Sequence, residues 1–218
     1  MTRIVLVDDH AIVRSGYRRL LSAEPDFEVV GEAATVQEAN ALVGRAAPDV
    51  AIVDLSLKGS SGLEAIAGML ARQPALRVLV LSMHDDAGHL LQALKAGAHG
   101  YLTKRSEPEE VIEAIRGVMR GQRVLSQDLR GLDRHADEGA AAGDTALRDL
   151  KPREFELLRM LVQGESVQAI ATVMHLSPKT VLNYLTLIRQ KLNADNDFKL
   201  MHLAARSGLV EFGAAVPA

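Results

Sequence analysis

Apolar residues in the first half of the chain come in short β-branched runs separated by stretches of helical period. Ile4-Val5-Leu6-Val7, Glu28-Val29-Val30-Gly31, Val50-Ala51-Ile52-Val53, Val78-Leu79-Val80-Leu81 and Gly100-Tyr101-Leu102 read as five strands. Four of them are apolar almost throughout, as suits parallel strands covered on both faces. Between them, Thr35-Val36-Gln37-Glu38 reads as a capping box opening a helix over 36–46. Ser106-Glu107-Pro108-Glu109 reads as another, opening 107–119. A strand-to-strand spacing of roughly 20–25 residues leaves room for one helix in each gap. The pattern predicts an α/β fold of (βα)5 type, a doubly wound parallel sheet.

After Gly121 the pattern lapses. Residues 121–148 hold Gly139-Ala140-Ala141-Ala142-Gly143 and scattered charges, and read as a linker with a frayed helix near Ser126–Arg134. From Leu150 the helical period returns without strands. Pro152 lies near the start of a helix with Phe155, Leu158, Leu161 and Val162 on one face and Gly164 at its end. Val167 to Met174 forms a second helix. Ser177-Pro178 caps a third, whose inner stripe is Val181, Leu185, Ile188 and Leu192. Asp197 to Ser207 forms a fourth, closed by Gly208. The chain thus divides into an α/β domain over 1–120, a linker over 121–148 and an all-α four-helix domain over 149–212.

Composition narrows the class. Hydrophobic residues make up 48% of the 218 and charged ones 24%, which excludes wholesale disorder. There is no cysteine, hence no disulfide framework, thiolate zinc site or thiol nucleophile. Asp8 and Asp9 break the N-terminal apolar run too early for a signal peptide, and no run reaches the ~18 residues a membrane helix needs. A soluble, cytoplasmic protein without a membrane segment is expected. The net charge of -3 distributes as -3 over 1–120, -1 over 121–148 and +1 over 149–218. The last third is the least acidic, yet it is no polycation, and charge alone argues nothing about nucleic acid.

Candidate chemistry lies at the strand ends. In a parallel sheet of this kind functional groups collect there, and the residues in question are Asp8 and Asp9, Asp54, Ser82 and Lys104. One Asp after a strand is usually a turn or cap residue, and one Lys is usually solvated. The set carries the signal. Converging carboxylates hold protons tightly unless a cation joins them, and a set of oxygen ligands favours hydrated Mg²⁺ over zinc. A hydroxyl and an ammonium at the same rim suit the oxygens of a phosphoryl group.

Four segments carry a family resemblance: Val7-Asp8-Asp9-His10, Asp54-Leu55-Ser56-Leu57-Lys58-Gly59, Leu81-Ser82-Met83-His84-Asp85 and Gly100-Tyr101-Leu102-Thr103-Lys104. With them, residues 1–120 resemble the receiver domain of bacterial two-component response regulators. The resemblance implies a flavodoxin-like fold in which Asp54 accepts a phosphoryl group from a sensor histidine kinase. It implies Mg²⁺ held by Asp8, Asp9, Asp54 and the backbone carbonyl of Ser56. It also makes Ser82 and Lys104 the contacts of the phosphoryl oxygens, and Ser82 and Tyr101 the switch that moves the surface of residues 86–119. Forming an acyl phosphate asks for charge neutralisation and in-line geometry more than for acid–base work. Lys58 stands where the family commonly has proline. His84 reads as an exposed loop histidine, with modulation of the site's kinetics as the alternative.

The last third carries a second resemblance, on Pro152-Arg153-Glu154, Gly164, Ile170-Ala171, Leu176-Ser177-Pro178-Lys179-Thr180-Val181 and Lys191-Leu192. Residues 149–210 resemble the LuxR-type helix-turn-helix of NarL/FixJ-type regulators. On that resemblance Lys179 to Leu192 is the recognition helix, and Lys179, Thr180, Leu182, Asn183, Thr186, Arg189 and Gln190 face the groove. Asn183 is suited to adenine, Thr186 to a thymine methyl, and Lys179 and Arg189 to phosphates. Leu182, Tyr184, Gln168, Asp197 and Lys151 depart from the family's usual lysine, histidine, lysine, arginine and threonine, so several phosphate-binding cations are missing. The expectation is a phosphorylation-dependent transcriptional regulator, not an enzyme, that binds a two-fold-related site on double-stranded DNA as a homodimer. Leu200, Leu203 and Ala204 are the expected dimer face. Two rivals are an aspartate-based phosphohydrolase, whose usual substrate-covering insertion has no counterpart in these short loops, and a phospho-switched protein-binding adaptor.

Overall fold

The computed structural model describes residues 1–57, 60–129, 147, 149–206 and 209. They form two compact units. Up to residue 125 the elements in chain order are β1 (Thr2–Val7), α1 (Ala11–Leu21), β2 (Phe27–Ala33), α2 (Val36–Ala46), β3 (Val50–Val53), β4 (Ser56–Leu57), β5 (Ser60–Ser61), α3 (Gly62–Arg72), β6 (Arg77–Ser82), α4 (Ala87–Lys95), β7 (Gly100–Thr103), α5 (Pro108–Met119) and β8 (Val124–Leu125). A parallel sheet runs in the order β2-β1-β3-β6-β7-β8. This is the doubly wound (βα)5 arrangement read from the sequence, with the order reversing beside β1 and β3, where sheets of this type place their ligands.

Alternation along the strands divides the core. Ile4, Leu6, Ile52, Leu79, Leu81 and Leu102 meet Leu21 of α1 and Val111, Ala114, Ile115 and Val118 of α5 in one buried cluster. Val5, Val7, Ala51, Val53, Val78 and Val80 point the other way and are equally buried. Period two puts them on the opposite face, beside α2 and α3, which pack on each other.

Several local expectations are revised. The segment read as linker begins with a strand: β8 pairs with β7 through Gly100↔Val124 and Tyr101↔Leu125 and makes a sixth edge to the sheet. Two residues are too short a run to carry a periodic signal. Of the frayed helix near Ser126–Arg134 the structure has a single 3-10 turn, Gln127–Leu129; the rest of that call, and most of the linker, lies outside the described residues. Ser106 does not cap α5. The helix begins one residue later than read, with Glu107 at the cap and Pro108 in the first turn, a place where proline's missing N–H costs nothing. Thr35 does cap α2: its Oγ1 accepts the Glu38 N–H at 3.2 Å, while Glu38 reaches back to the Ala34 N–H at 2.7 Å.

The second unit packs α6 (Pro152–Val162), α7 (Val167–Val173), α8 (Pro178–Lys191) and α9 (Asp197–Arg206). Its core is Phe155, Leu158, Ile170, Ala171, Val181, Leu185, Ile188, Leu192, Leu200 and Ala204. Leu157 is wholly buried and Leu161 only in part, so the inner face of α6 is turned slightly from the one read. Gly164 leaves the helix at φ 90, the left-handed conformation that suits glycine after a helix end. Ser177 Oγ accepts the Thr180 N–H at 3.1 Å, with Pro178 in the first turn of α8. The proposed dimer face is overturned in part: Leu200 and Ala204 are core residues of this unit. Gly208, read as the end of the fourth helix, lies outside the described residues.

One backbone approach ties the sheet to its loops. A Cβ placed on Gly62 would lie 2.1 Å from the Asp54 carbonyl oxygen and 2.6 Å from Leu55 Cα. Main-chain atoms cannot step aside as a flexible side chain can. Gly62→Ala is therefore expected to cost about 1–3 kcal/mol, the range for overpacking, and to shift Asp54. Urea unfolding measures the first effect, and the chemical shift of the labelled Asp54 carboxyl the second.

Candidate functional site

The strand order brings the chain ends after β1, β3 and β7 to one crevice. Asp8 and Asp54 are buried, and Lys104 Nζ lies between them, 2.7 Å from Asp8 Oδ2 and 2.7 Å from Asp54 Oδ2. Main-chain bonds hold the frame: Asp54 N donates to Val7 O at 2.8 Å, Asp8 N to Ala33 O at 3.1 Å, and Lys104 N to Ser82 O at 2.8 Å. Each carboxylate is split between two tasks. Asp54 Oδ1 accepts the Ser56 N–H at 3.2 Å, and Asp8 Oδ1 accepts the His10 N–H at 2.7 Å. Asp9 completes the cluster: Asp8, Asp9, His10 and Asp54 each offer a ligand atom within 4.8 Å of the others. Asp9 Oδ1 is buried and accepts no hydrogen bond.

Two buried anions thus share one ammonium. Burial is the largest influence on Asp54 and raises its carboxyl above the usual carboxylate range, against the hydrogen bond and charge of Lys104. Burial is also the largest single influence on Lys104, and it acts downward. The bonds and charges of Asp54 and Asp8 together outweigh it, so the ammonium is held above its ordinary value. The carboxylate oxygens, their negative excess and the buried Asp9 oxygen that accepts no hydrogen bond all fit a hard divalent cation.

Ser82 and Tyr101 are not on the carboxylates in this structure. Both engage His84. Ser82 Oγ accepts the His84 N–H at 3.2 Å, and the Tyr101 hydroxyl, on a fully buried ring, donates to the His84 carbonyl at 2.9 Å. The His84 ring reaches Ser56, with Nε2 3.1 Å from Oγ. His84 is thus half-buried rather than exposed, and this one residue joins the loops after β3 and β6.

In the second unit α8 presents a mixed outer face. Lys179, Leu182, Asn183, Thr186 and Gln190 are exposed, whereas Thr180 and Arg189 are partly buried. Leu182 is 53% exposed, so it is no part of the core. Thr186 Oγ1 donates to the Leu182 carbonyl at 3.0 Å, which spends the hydroxyl on the helix itself and leaves the methyl as its outward group. Thr180 Oγ1 is 2.8 Å from Ser177 Oγ within the helix cap. Arg189 is paired with Asp197. Lys191 binds Glu154, a buried acid whose Oε2 also accepts the Lys151 N–H at 2.7 Å.

Both halves have known counterparts. Residues 4–116 match the response regulator receiver domain, and residues 148–204 match the bacterial regulatory proteins of the luxR family. The chain belongs to the response regulators of NarL/FixJ type. It is 39% identical over 212 residues to the transcriptional activator protein ExaE of Pseudomonas putida, covering 97% of this chain and 99% of that one. It is 34% identical over 211 residues to the response regulator GacA of Pseudomonas aeruginosa, again at 97% and 99% coverage. Among solved structures, RcsB from Salmonella enterica serovar Typhimurium, bound to promoter rprA in the presence of phosphomimetic BeF3-, matches with a TM-score of 0.63 and 25% identity over 93% of this chain and 97% of that one.

In this response regulator the groups that sequence reasoning passed over act through others. Arg14 donates to the Asp8 carbonyl and, through Nε, to Glu32 at 3.0 Å, so β1 and β2 are clamped behind the acids. An Arg six residues after an Asp carries no signal until the helix between them is known. The departure at Lys58 lies outside the described residues. Among the described residues no helix is long and apolar enough to cross a membrane.

Removing the shared ammonium has a signed consequence. Lys104→Met leaves two buried carboxylates facing each other, so Asp54 rises further and stability at pH 7 falls by about 3 kcal/mol, as for a broken buried ion pair. A carboxyl whose folded pKa is raised favours the native state most when protonated. The deficit of the variant therefore narrows as pH falls from neutrality towards the ordinary carboxylate range, and widens again on return. Urea unfolding of both proteins across that window checks the sign.

Proposed function

We propose that this chain is a phosphorylation-dependent transcriptional regulator, with the α/β unit, extended from residue 120 through β8, as its receiver, the remainder up to 148 as linker and 149–212 as its DNA-binding output domain. The observation that carries the reading is the Lys104 ammonium held 2.7 Å from both Asp8 and Asp54 at the strand ends. An Asp54 carboxylate oxygen attacks the phosphorus of a sensor kinase's phosphohistidine. The P–N bond breaks as the P–O bond forms, and the electron pair returns to the imidazole. Asp8, Asp9, Asp54 and the Ser56 carbonyl are the residues that would hold Mg²⁺. When bound, that ion supplies charge neutralisation for the incoming phosphoryl group. Lys104, already donating to Asp54 Oδ2, offsets part of the added negative charge. Transfer needs little acid–base work from the protein, and the crevice offers little of it. The carboxyl of Asp54 is displaced from its ordinary range, but Asp54 serves here as the acceptor.

Ser82 is the link to the surface. Its hydroxyl now accepts the His84 N–H, while Tyr101 donates to the carbonyl of the same residue. Drawing Ser82 towards a phosphoryl oxygen breaks the first bond and frees the residue that holds Tyr101. That is a two-state element biased by a local charge change. The output is a homodimer on a two-fold-related duplex site, in the cytoplasm where kinase and DNA meet. Lys179, Thr180, Leu182, Asn183, Thr186 and Arg189 form the DNA-facing set. The RcsB likeness, a protein solved on a promoter, supports DNA as the ligand. Exposed Leu182 and the outward Thr186 methyl support an apolar element in base reading.

Two outcomes test this. With acetyl phosphate as donor, Asp54→Asn is expected to abolish acid-labile phosphate incorporation while wild type is labelled; equal labelling of the variant would defeat the assignment. On the output side, Asp197→Asn releases Arg189 towards phosphate. Affinity for a duplex measured by fluorescence anisotropy is expected to rise several-fold at low salt, and the log–log salt slope to steepen by about 0.9, one phosphate contact. An unchanged slope would remove Arg189 from the DNA-facing set.

A further inference from the structure

His10 sits at the N-cap of α1 in extended conformation, and no side chain caps the helix there. Serine, threonine, asparagine or aspartate is the stabilising choice at such a position. The histidine ring serves another contact. Its Nδ1 lies 3.1 Å from Asp8 Oδ1 and 2.8 Å from Asp9 Oδ1. The Asp9 side chain is only 6% exposed, and its buried Oδ1 has the ring nitrogen as an ion-pair neighbour with no hydrogen bond between them. The ring itself is 60% exposed and so lies at the open side of the cluster. Ligand atoms set at right angles about 2.1 Å from one ion lie about 3.0 Å apart. The two nitrogen–oxygen separations match that edge.

We propose that His10 Nδ1 is a ligand of the carboxylate site, and that it turns the site towards borderline transition ions such as Co²⁺ and Zn²⁺. This rests on the reading of Asp8, Asp9 and Asp54 as a divalent-cation site and extends it from the charge of the ion to its class. Mg²⁺ is hard, keeps its water and gains little from imidazole. First-row transition ions gain more from a nitrogen donor, and their affinities for a mixed N/O site rise along the series. The Asp9 oxygen and the ring nitrogen then face one cation together. Phosphoryl acceptance would thus respond to which divalent ion is available.

Calorimetric titration of the chelator-treated full chain with MgCl₂ and with CoCl₂, together with the visible spectrum of the Co²⁺ complex, tests the assignment. Co²⁺ is expected to bind at least about tenfold more tightly than Mg²⁺. His10→Ala is expected to lose about tenfold or more in Co²⁺ affinity and to shift the Co²⁺ absorption band, with Mg²⁺ affinity unchanged within about twofold. His10→Gln, which retains a polar side chain, is expected to behave as His10→Ala. Asp9→Asn weakens both ions. Co²⁺ affinity and spectrum indifferent to both His10 variants, with Mg²⁺ binding intact, would overturn the proposal and leave the ring as an ion-pair partner of the two acids. Failure of Mg²⁺ to bind, or binding of both ions indifferent to Asp9→Asn, would instead overturn the carboxylate-site reading beneath it.

Discussion

A lysine ammonium shared by two buried carboxylates is the constraint on which the first unit turns. Asp8, Asp54 and Lys104 come from three separate strand ends, and they meet only because β1 lies beside β3 and the chain returns through β7. Desolvated anions are costly unless paired. Burial raises Asp54 in spite of its Lys104 partner, and the neighbouring Asp8 charge adds a smaller push the same way. A crevice in that condition favours whatever brings further positive charge. At Gly62 the backbone runs so close to the Asp54 carbonyl that a side chain there would displace the Asp54 segment.

His84 gives the crevice a mechanical outlet. Its N–H, carbonyl and ring are engaged by Ser82, Tyr101 and Ser56 respectively. Two of these partners are on adjacent strands, and the third follows the central acid. A change at one carboxyl can therefore be felt by a buried aromatic ring through one residue, without rearrangement of the sheet.

The second unit uses its charges differently. Of the three cations on α8, Arg189 is taken by Asp197 and Lys191 by the buried Glu154. The Lys191–Glu154 pair ties the end of α8 to the start of α6 and belongs to the architecture. The Arg189–Asp197 pair is partly exposed and cheap to break. The helix surface is thus less cationic than its composition suggests, with Leu182 and the Thr186 methyl prominent on it.

Periodicity determined most of the fold. Runs such as Val50–Val53 read as strands buried on two faces, and they are; α2, α6 and α8 start where their caps or prolines stand. The five strand-end residues were legible for the same reason, since topology alone decides what a parallel sheet brings to its carboxyl edge. Pairwise geometry was not legible. The β8 edge is two residues long and is created by pairing with β7 rather than by its own pattern. Leu200 and Ala204 looked free because helical period shows that a face is apolar but not what it packs against. Long-range polar contacts decided the rest: Lys104 is 96 residues from Asp8, Lys191 is 37 from Glu154, and Arg189 meets Asp197 across a helix end. Such contacts depend on where side chains meet once the backbone is placed, and only the tertiary structure sets that.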